Sequence, residues 1–128
     1  MRILGIDYGS KRVGIAVSDE AGQFAIPLIV LNTKKDLLEE IIEIAKKNKV
    51  TTVVMGESKD YNGKDNSIMP ESLNLKKDLE KAGFKVHLEP EFMTSVNEER
   101  FQGKNYMLDA SAAALILQSF LDKEIHKK

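Results

Sequence analysis

The chain contains no cysteine among its 128 residues, so it forms neither a disulfide bond nor a zinc site with thiolate ligands. A chain without disulfides fits a reducing compartment, and we expect a cytoplasmic protein. The sequence also lacks a hydrophobic run long enough to span a bilayer and a basic segment of the kind that opens a signal peptide. These absences argue against disulfide-rich, thiolate-zinc and membrane-spanning helical proteins.

Neither sign of charge is in clear excess, since 19 Lys and Arg stand against 20 Asp and Glu. A protein with a formal net charge of −1 does not attract nucleic acid through its overall field. Any nucleic-acid contact must therefore come from local clusters of Lys and Arg. What the chain does have is 42% hydrophobic residues, and we expect a single domain spanning residues 1–128 with one buried core.

The most informative segment is the first one, residues 1–19. Two β-prone runs, at 3–6 and 13–17, flank a short connection that contains Gly9, which predicts a β-hairpin. The first run ends on Asp7, so a carboxylate is expected at the end of a buried strand, beside a glycine that lets another backbone or a phosphate come close. A charge in that position is costly unless it is paired, hydrogen-bonded or bound to a metal.

The rest of the chain alternates between helical and strand periodicity. Apolar spacing predicts helices over residues 35–49, 67–82, 95–101 and 108–123, and strands over 26–31, 50–55 and 84–88. Asn32 or Thr33 is expected to cap the first helix, and Pro27 suits an edge strand. Three consecutive strands followed by βαβ crossovers predict an α/β fold of the ribonuclease H-like type, with a mixed five-stranded sheet flanked by helices.

Acidic residues are expected at one edge of this sheet. Ligands of open α/β sheets bind outside the carboxyl ends of the parallel strands. Asp7 closes the first strand, Glu57 follows the fourth, Glu89 and Glu91 close the fifth, and Asp109 opens the last helix. Carboxylates brought together raise each other's pKa unless a hard cation neutralises them, and Mg²⁺ or Mn²⁺ is their natural partner. Two such ions about 4 Å apart can activate water and stabilise the leaving oxygen of a phosphodiester.

Each acidic residue also has a simpler interpretation. Asp7 could pair with Arg12 or accept amide hydrogens of the turn, and Asp109 could be a helix N-cap. Glu91 could be an acid of a first helical turn, and Glu57 a solvated loop charge. The spacing alone leaves these alternatives open.

Basic residues are expected on loops near the same edge, where they could bind phosphates. Ordinary solvation of each side chain is the alternative. These residues are Lys11, Arg12, Lys59 and Lys64.

Four segments of the chain, taken in order, resemble the YqgF family of Holliday-junction resolvases or pre-16S ribosomal RNA nucleases, relatives of the RuvC resolvases. They are DYGSKRVGIAVSD at 7–19, VVMGESKDYNG at 53–63, EFMTSV at 91–96 and LDASAAALILQSFLD at 108–122. The first and last segments match the family pattern closely, and the resemblance covers essentially the whole chain.

The two middle segments depart from the family pattern. The Gly-x-Pro loop lacks its proline, because Ser58 follows Gly56 at that spacing. The Asp and Arg that flank the family's glutamate are replaced by Pro90 and Phe92 around Glu91. Loss of the Arg removes a partner for phosphate or carboxylate, so a weakened relative that only binds nucleic acid or protein is an alternative.

The resemblance implies a ribonuclease H-like nuclease whose catalytic and metal-binding triad is Asp7, Glu91 and Asp109, with Mg²⁺ or Mn²⁺ as two bound ions. It implies cleavage of structured nucleic acid, with 5′-end processing of pre-16S ribosomal RNA as the expected role and junction resolution as the alternative. A monomer and a homodimer are both compatible with it. A sugar kinase or actin-like ATPase also opens with a strand–Asp–x–Gly hairpin, but it needs two such domains to enclose ATP.

Overall fold

The computed structural model describes residues 2–9, 11–58, 69–91 and 106–126. The strands form one sheet in the order β3-β2-β1-β4-β5, which confirms the predicted five-stranded α/β architecture. In chain order the elements are β1 (Arg2–Tyr8), β2 (Arg12–Ser18), β3 (Ala25–Asn32), α1 (Leu37–Lys47), β4 (Val50–Ser58), α2 (Met69–Lys81), β5 (Lys85–Glu91) and α3 (Tyr106–His126).

β1 is the central strand of the sheet. It pairs antiparallel with β2 and parallel with β4, while β3 extends the antiparallel side and β5 extends the parallel side. The carboxyl ends of β1, β4 and β5 therefore lie at one edge of the sheet, where a ligand site is expected. Pro27 lies on β3, which is an edge strand as predicted.

The two faces of the sheet pack against different helices. Successive side chains of a strand point to opposite faces, so each strand contributes to both cores. The face covered by α1 and α2, called the α1–α2 face, carries the larger core, which includes Leu4, Ile6, Val13, Ile15, Val17, Ile41, Val53, Met55 and Leu79. The face covered by α3, called the α3 face, is built from Ala16, Val54, Ala113, Ile116, Leu117 and Leu121.

Helix α3 packs unusually close to the middle of β1. A Cβ atom added at Gly5 would lie 2.8 Å from Leu117 Cβ and 3.0 Å from the Ala113 carbonyl oxygen. The glycine on the strand and the small residues on the helix together permit this approach. None of the helices within the described ranges combines the length and apolarity needed to cross a bilayer.

The elements begin and end at residues that differ somewhat from the predicted ones. β4 runs to Ser58 and β5 to Glu91, because the two strands continue to pair beyond their apolar residues. α1 begins at Leu37 and its N-cap position, Asp36, makes no side-chain capping hydrogen bond, so the predicted caps Asn32 and Thr33 are wrong. The helix predicted at 95–101 lies outside the described residues.

Candidate active site

Asp7 is a buried carboxylate at the carboxyl end of the central strand. It is 8% exposed, and it lies on the α3 face because Ile6 before it belongs to the core of the opposite face. Its antiparallel neighbour on β2 is Gly14. On the other side, the parallel pair Ile6↔Met55 is followed by Gly56 on β4. Glycine therefore stands beside Asp7 on β2 and follows the last registered pair on β4, so these two positions add no side chain next to the carboxylate.

The later half of α3 is tied to the opposite end of the sheet. Gln118 accepts a hydrogen bond from the Ala25 amide at 2.8 Å, and Ala25 begins β3 beside Ser18. The Ser18 hydroxyl in turn accepts a hydrogen bond at 2.8 Å from the amide of Ile3, near the start of β1. Gln118 on α3 therefore lies near the amino end of β1.

The first turns of α3 consequently lie toward Asp7. Ala113 contacts Gly5 in the middle of β1, and Asp109 lies about one helical turn before Ala113. Since α3 runs antiparallel to β1, the backbone places Asp109 toward the carboxyl end of β1, the end that carries Asp7.

Glu91 reaches the same edge of the sheet at the end of β5. It is paired in register with Ser58, two residues beyond the pair Gly56↔Glu89. The side chains of Glu91 and Asp109 lie outside the described part of the structure, so the backbone alone gives their positions. Among the described side chains, no group of three His, Asp or Glu residues forms a metal cluster.

Glu89 has a structural role that its place in the sequence did not indicate. It is 4% exposed, and its carboxylate accepts hydrogen bonds from the Ser119 hydroxyl at 2.8 Å and from Lys123 Nζ at 2.6 Å. These bonds tie β5 to α3 and balance the buried charge. These two hydrogen bonds of Glu89 therefore fix α3 to the sheet.

Glu57 lies on the other side of the sheet from Asp7. It is part of β4 and is half-buried, so the interpretation as a solvated loop charge is wrong. Met55, two residues earlier, belongs to the core of the α1–α2 face, and strand alternation puts Glu57 on that same face. Glu57 and Asp7 consequently do not share a site.

The described residues of the connection between β1 and β2 are held by close backbone contacts and include two exposed cations. A Cβ atom at Gly9 would lie 2.5 Å from the Arg12 carbonyl oxygen, so the turn requires glycine there. Thr33 braces it, because its hydroxyl donates to the Gly9 carbonyl at 2.8 Å and its amide donates to the Lys11 carbonyl at 2.9 Å. The Lys11 and Arg12 residues are both exposed next to the end of β1. Lys59 and Lys64 lie outside the described residues.

Tyr8 links the end of β1 to the first turn of α2. Burial raises the pKa of the Tyr8 phenol, and the negative charge of Glu71 and a hydrogen bond to that carboxylate raise it further. The phenol donates this hydrogen bond, so it is held in its neutral form. Sequence reasoning missed the pair, since residues 8 and 71 are brought together only by the crossover from β4 to α2.

The sequence as a whole matches one protein family. A model of the family described as "RuvX: Holliday junction resolvase" matches residues 1–123. A protein of Maridesulfovibrio salexigens named "Putative pre-16S rRNA nuclease" is 33% identical over 134 residues, which cover 94% of this chain and 98% of the relative. A protein of Lactobacillus helveticus with the same name is 32% identical, and the match covers 100% of this chain and 99% of that relative.

Solved structures support the same fold. RuvC of Thermus thermophilus superposes with a TM-score of 0.62 at 15% identity, covering 98% of this chain and 97% of that one. Fowlpox virus resolvase, solved with Holliday junction DNA, superposes with a TM-score of 0.59 at 11% identity, covering 98% of this chain and 99% of that one. At these identities the likeness establishes the ribonuclease H-like fold.

Proposed function

Because this chain belongs to the RuvX family, we propose that it is a nuclease that hydrolyses phosphodiester bonds of structured nucleic acid. Relatives about one-third identical over nearly their whole length carry the name pre-16S rRNA nuclease. We therefore propose 5′-end processing of pre-16S ribosomal RNA as its role, which implies a cytoplasmic location.

The observation that carries this proposal is the environment of Asp7. A carboxylate that is 8% exposed, at the carboxyl end of the central strand, lies where α/β sheets bind their ligands. Gly14 and Gly56 on the flanking strands place no side chain beside it.

We propose that Asp7, Glu91 and Asp109 bind two divalent cations, either Mg²⁺ or Mn²⁺. The donors fit this group, because all three are carboxylates, and hard divalent cations take oxygen ligands. When bound, such ions supply Lewis-acid stabilisation of the charge that develops on the phosphate. The backbone positions of all three residues at one edge of the sheet support the assignment.

The protein's own cations would bind the substrate backbone. The exposed Lys11 and Arg12 have their backbone held by Thr33 and by the close contact at Gly9, so they extend from a fixed backbone next to the end of β1. We also assign phosphate contacts to Lys59 and Lys64, which follow β4 in the sequence. Such contacts orient the substrate without reading its bases.

The Asp7→Asn substitution tests the proposal directly. Cleavage of labelled precursor ribosomal RNA and of four-way junction DNA is measured side by side, with and without Mg²⁺. We expect Mg²⁺-dependent cleavage of the RNA by the wild type and a loss of at least about 100-fold in the variant, since Asp7 is proposed to touch the reacting centre.

Glu89→Gln is the matched control. It neutralises another buried acid of the α3 face, but the amide can still accept hydrogen bonds from Ser119 and Lys123, so cleavage should be kept. Full activity of Asp7→Asn would exclude the assignment. Cleavage of junction DNA alone would replace the ribosomal role with junction resolution. Absence of cleavage by the wild type on both substrates would favour a weakened, binding-only relative.

A further inference from the structure

A cleft opens at the amino edge of the sheet, opposite the edge that carries Asp7. Its volume is about 490 Å³, and the residues that line it are Arg2, Glu20, Lys47, Asn48 and Lys49. Arg2 begins β1, Glu20 follows β2, and residues 47–49 connect the end of α1 to β4. Three cations in this lining stand against one acid. We call this surface the amino-edge cleft.

The Arg2 guanidinium keeps hydrogen-bonding capacity for a ligand. Its Nη1 donates to Asn48 Oδ1 at 3.4 Å, and its Nη2 lies 3.8 Å from Glu20 Oε1. Both distances are long, since a guanidinium forms its strong hydrogen bonds to carboxylates at about 2.7–2.9 Å. The Glu20 side chain is 87% exposed, so its carboxylate stays hydrated and offsets little of the Arg2 charge.

The two lysines are not needed to cap α1. Lys47 is the last residue of the helix, where a cation often stabilises the final carbonyls. Here the Ile44 carbonyl accepts hydrogen bonds from both the backbone and the side-chain amide of Asn48, and the Lys46 carbonyl accepts one from the Lys49 amide. Among the described residues, neither Lys47 nor Lys49 forms a salt bridge. Their ammonium groups are therefore available to an anion.

Lys49 is held in the cleft at a cost to the backbone. Its φ is +58°, and no other non-glycine residue in the described part of the chain has a positive φ. Glycine or asparagine usually occupies this left-handed position after a helix, because other L side chains are strained there. Such strain is concentrated at functional sites. A lysine at this position therefore indicates that its charge is used.

We propose that the amino-edge cleft binds a phosphate group in the form of a phosphomonoester dianion. A planar guanidinium offers paired N–H donors to two phosphate oxygens, and the two ammonium groups add positive charge around the remaining ones. The cleft has no aromatic or apolar side chain in its lining, so it recognises the phosphate and not the base that a nucleotide carries.

The arrangement of the cations favours a terminal phosphate over the backbone of a nucleic acid. The cations surround one concavity, whereas a nucleic-acid backbone is bound by cations spread along its length. Arg2 and Asp7 lie at opposite ends of β1, about 17 Å apart along the strand. The bound phosphate is therefore not the one that is proposed to be cleaved. A mononucleotide and the 5′ end of an RNA both carry such a group.

NMR titration of isotope-labelled protein in Mg²⁺-free buffer tests the proposal, with inorganic phosphate and AMP as probes. We expect saturable shifts of the backbone amide signals of Arg2, Asn48 and Lys49. Lys47→Gln and Lys81→Gln form a matched pair, because each removes one charge from the last residue of a helix. The Kd for phosphate should rise at least about threefold in Lys47→Gln, which loses a charge beside the ligand, and should stay unchanged in Lys81→Gln.

Lys49→Gly separates binding from stability. Glycine relieves the left-handed strain, so the Tm should rise, while loss of the ammonium group should raise the Kd for phosphate at least about threefold. A variant that bound weakly because its fold was damaged would instead unfold at a lower temperature. Glu20→Gln removes the acid of the cleft and should lower the Kd for phosphate.

Three results overturn the proposal. Absence of saturable shifts with either probe excludes a phosphate site in the cleft. Equal weakening by Lys47→Gln and Lys81→Gln shows a response to overall charge. Equal binding of an RNA oligonucleotide with a 5′-phosphate and of the same one with a 5′-hydroxyl makes the cleft a contact for the nucleic-acid backbone. Asp7→Asn should bind phosphate like the wild type, so this test is independent of the proposed nuclease activity.

Discussion

At the scale of single residues, strand alternation and helix contacts separate three acids that look equivalent in the sequence. Asp7 and Glu89 lie on the α3 face, but Glu89 is bonded to Ser119 and Lys123, whereas Asp7 is flanked by glycines. Glu57 lies on the opposite face. The buried position of Asp7 near the end of a strand could be predicted from the sequence, because a lone carboxylate ends an apolar run. The role of Glu89 could not, because its partners are 30 and 34 residues away along the chain.

Tyr8 gives a prediction on pH dependence. Its folded pKa is raised above the ordinary 10.0, first by burial and then by Glu71, so the folded state binds the phenolic proton more tightly than the unfolded state. The stabilisation is therefore complete below the unfolded pKa and is lost as the pH rises through the raised folded pKa. Tyr8→Phe should be less stable than the wild type near neutral pH by under about 1 kcal/mol, with the difference shrinking at alkaline pH.

The measurement is urea unfolding of both proteins at a series of pH values, with titration of phenolate absorbance in parallel. Glu71→Gln keeps a hydrogen-bond acceptor for Tyr8 and removes the charge, so it should lower the phenol pKa without abolishing the contact. A constant difference between Tyr8→Phe and the wild type across the alkaline range would contradict the linkage.

At the scale of elements, the contact between β1 and α3 sets the geometry of the candidate site. Gly5→Ala would place a Cβ atom against Leu117 Cβ and the Ala113 carbonyl, which no rotamer change can move. The whole helix must shift, so we expect a loss of stability of about 1–3 kcal/mol. The rate of cleavage should also fall, because a shift of α3 changes the position of Asp109 relative to Asp7.

Gly83→Ala is the control for Gly5→Ala, because it strains the backbone without crowding a neighbouring atom. Gly83 has a φ of +101°, but nothing lies within 4 Å of an added Cβ, so only the conformational penalty applies. It should lower the unfolding free energy measured in urea while leaving cleavage unchanged. Equal activity of Gly5→Ala and the wild type would show that the position of α3 does not control the site.

The order of elements followed from the sequence, but the ends of β4 and β5 did not. The apolar runs stop at Met55 and Leu88, which predicts shorter strands than the structure has. Pairing between the strands nevertheless continues to Ser58↔Glu91. Hydrogen bonds between neighbouring strands do not depend on side-chain polarity, so periodicity underestimates strands that end at a polar site. That extension is what brings Glu91 to the edge of the sheet.

At the scale of the whole molecule, the candidate site relies on local charge. Asp7 and its neighbours occupy the carboxyl edge of the parallel strands. The near-neutral net charge of −1 is compatible with this site, because the exposed Lys11 and Arg12 bring positive charge to the same edge.

Metal-linked stability is the last prediction, and it concerns the folded state as a whole. A cation that binds only the folded protein raises the unfolding free energy by about 2.7 kcal/mol at 100 times its dissociation constant. For a chain of 128 residues, each kcal/mol corresponds to a rise of about 3–5 °C in Tm. We expect Mg²⁺ or Mn²⁺ to raise the Tm of the wild type, and KCl at equal ionic strength to have little effect.

Asp7→Asn should unfold near or above the wild-type Tm without metal, since one repelling carboxylate is gone, and should gain little from Mg²⁺. The same Mg²⁺ response in both proteins would place the cation elsewhere, and no response in the wild type would argue for a relative that binds nucleic acid without cutting it.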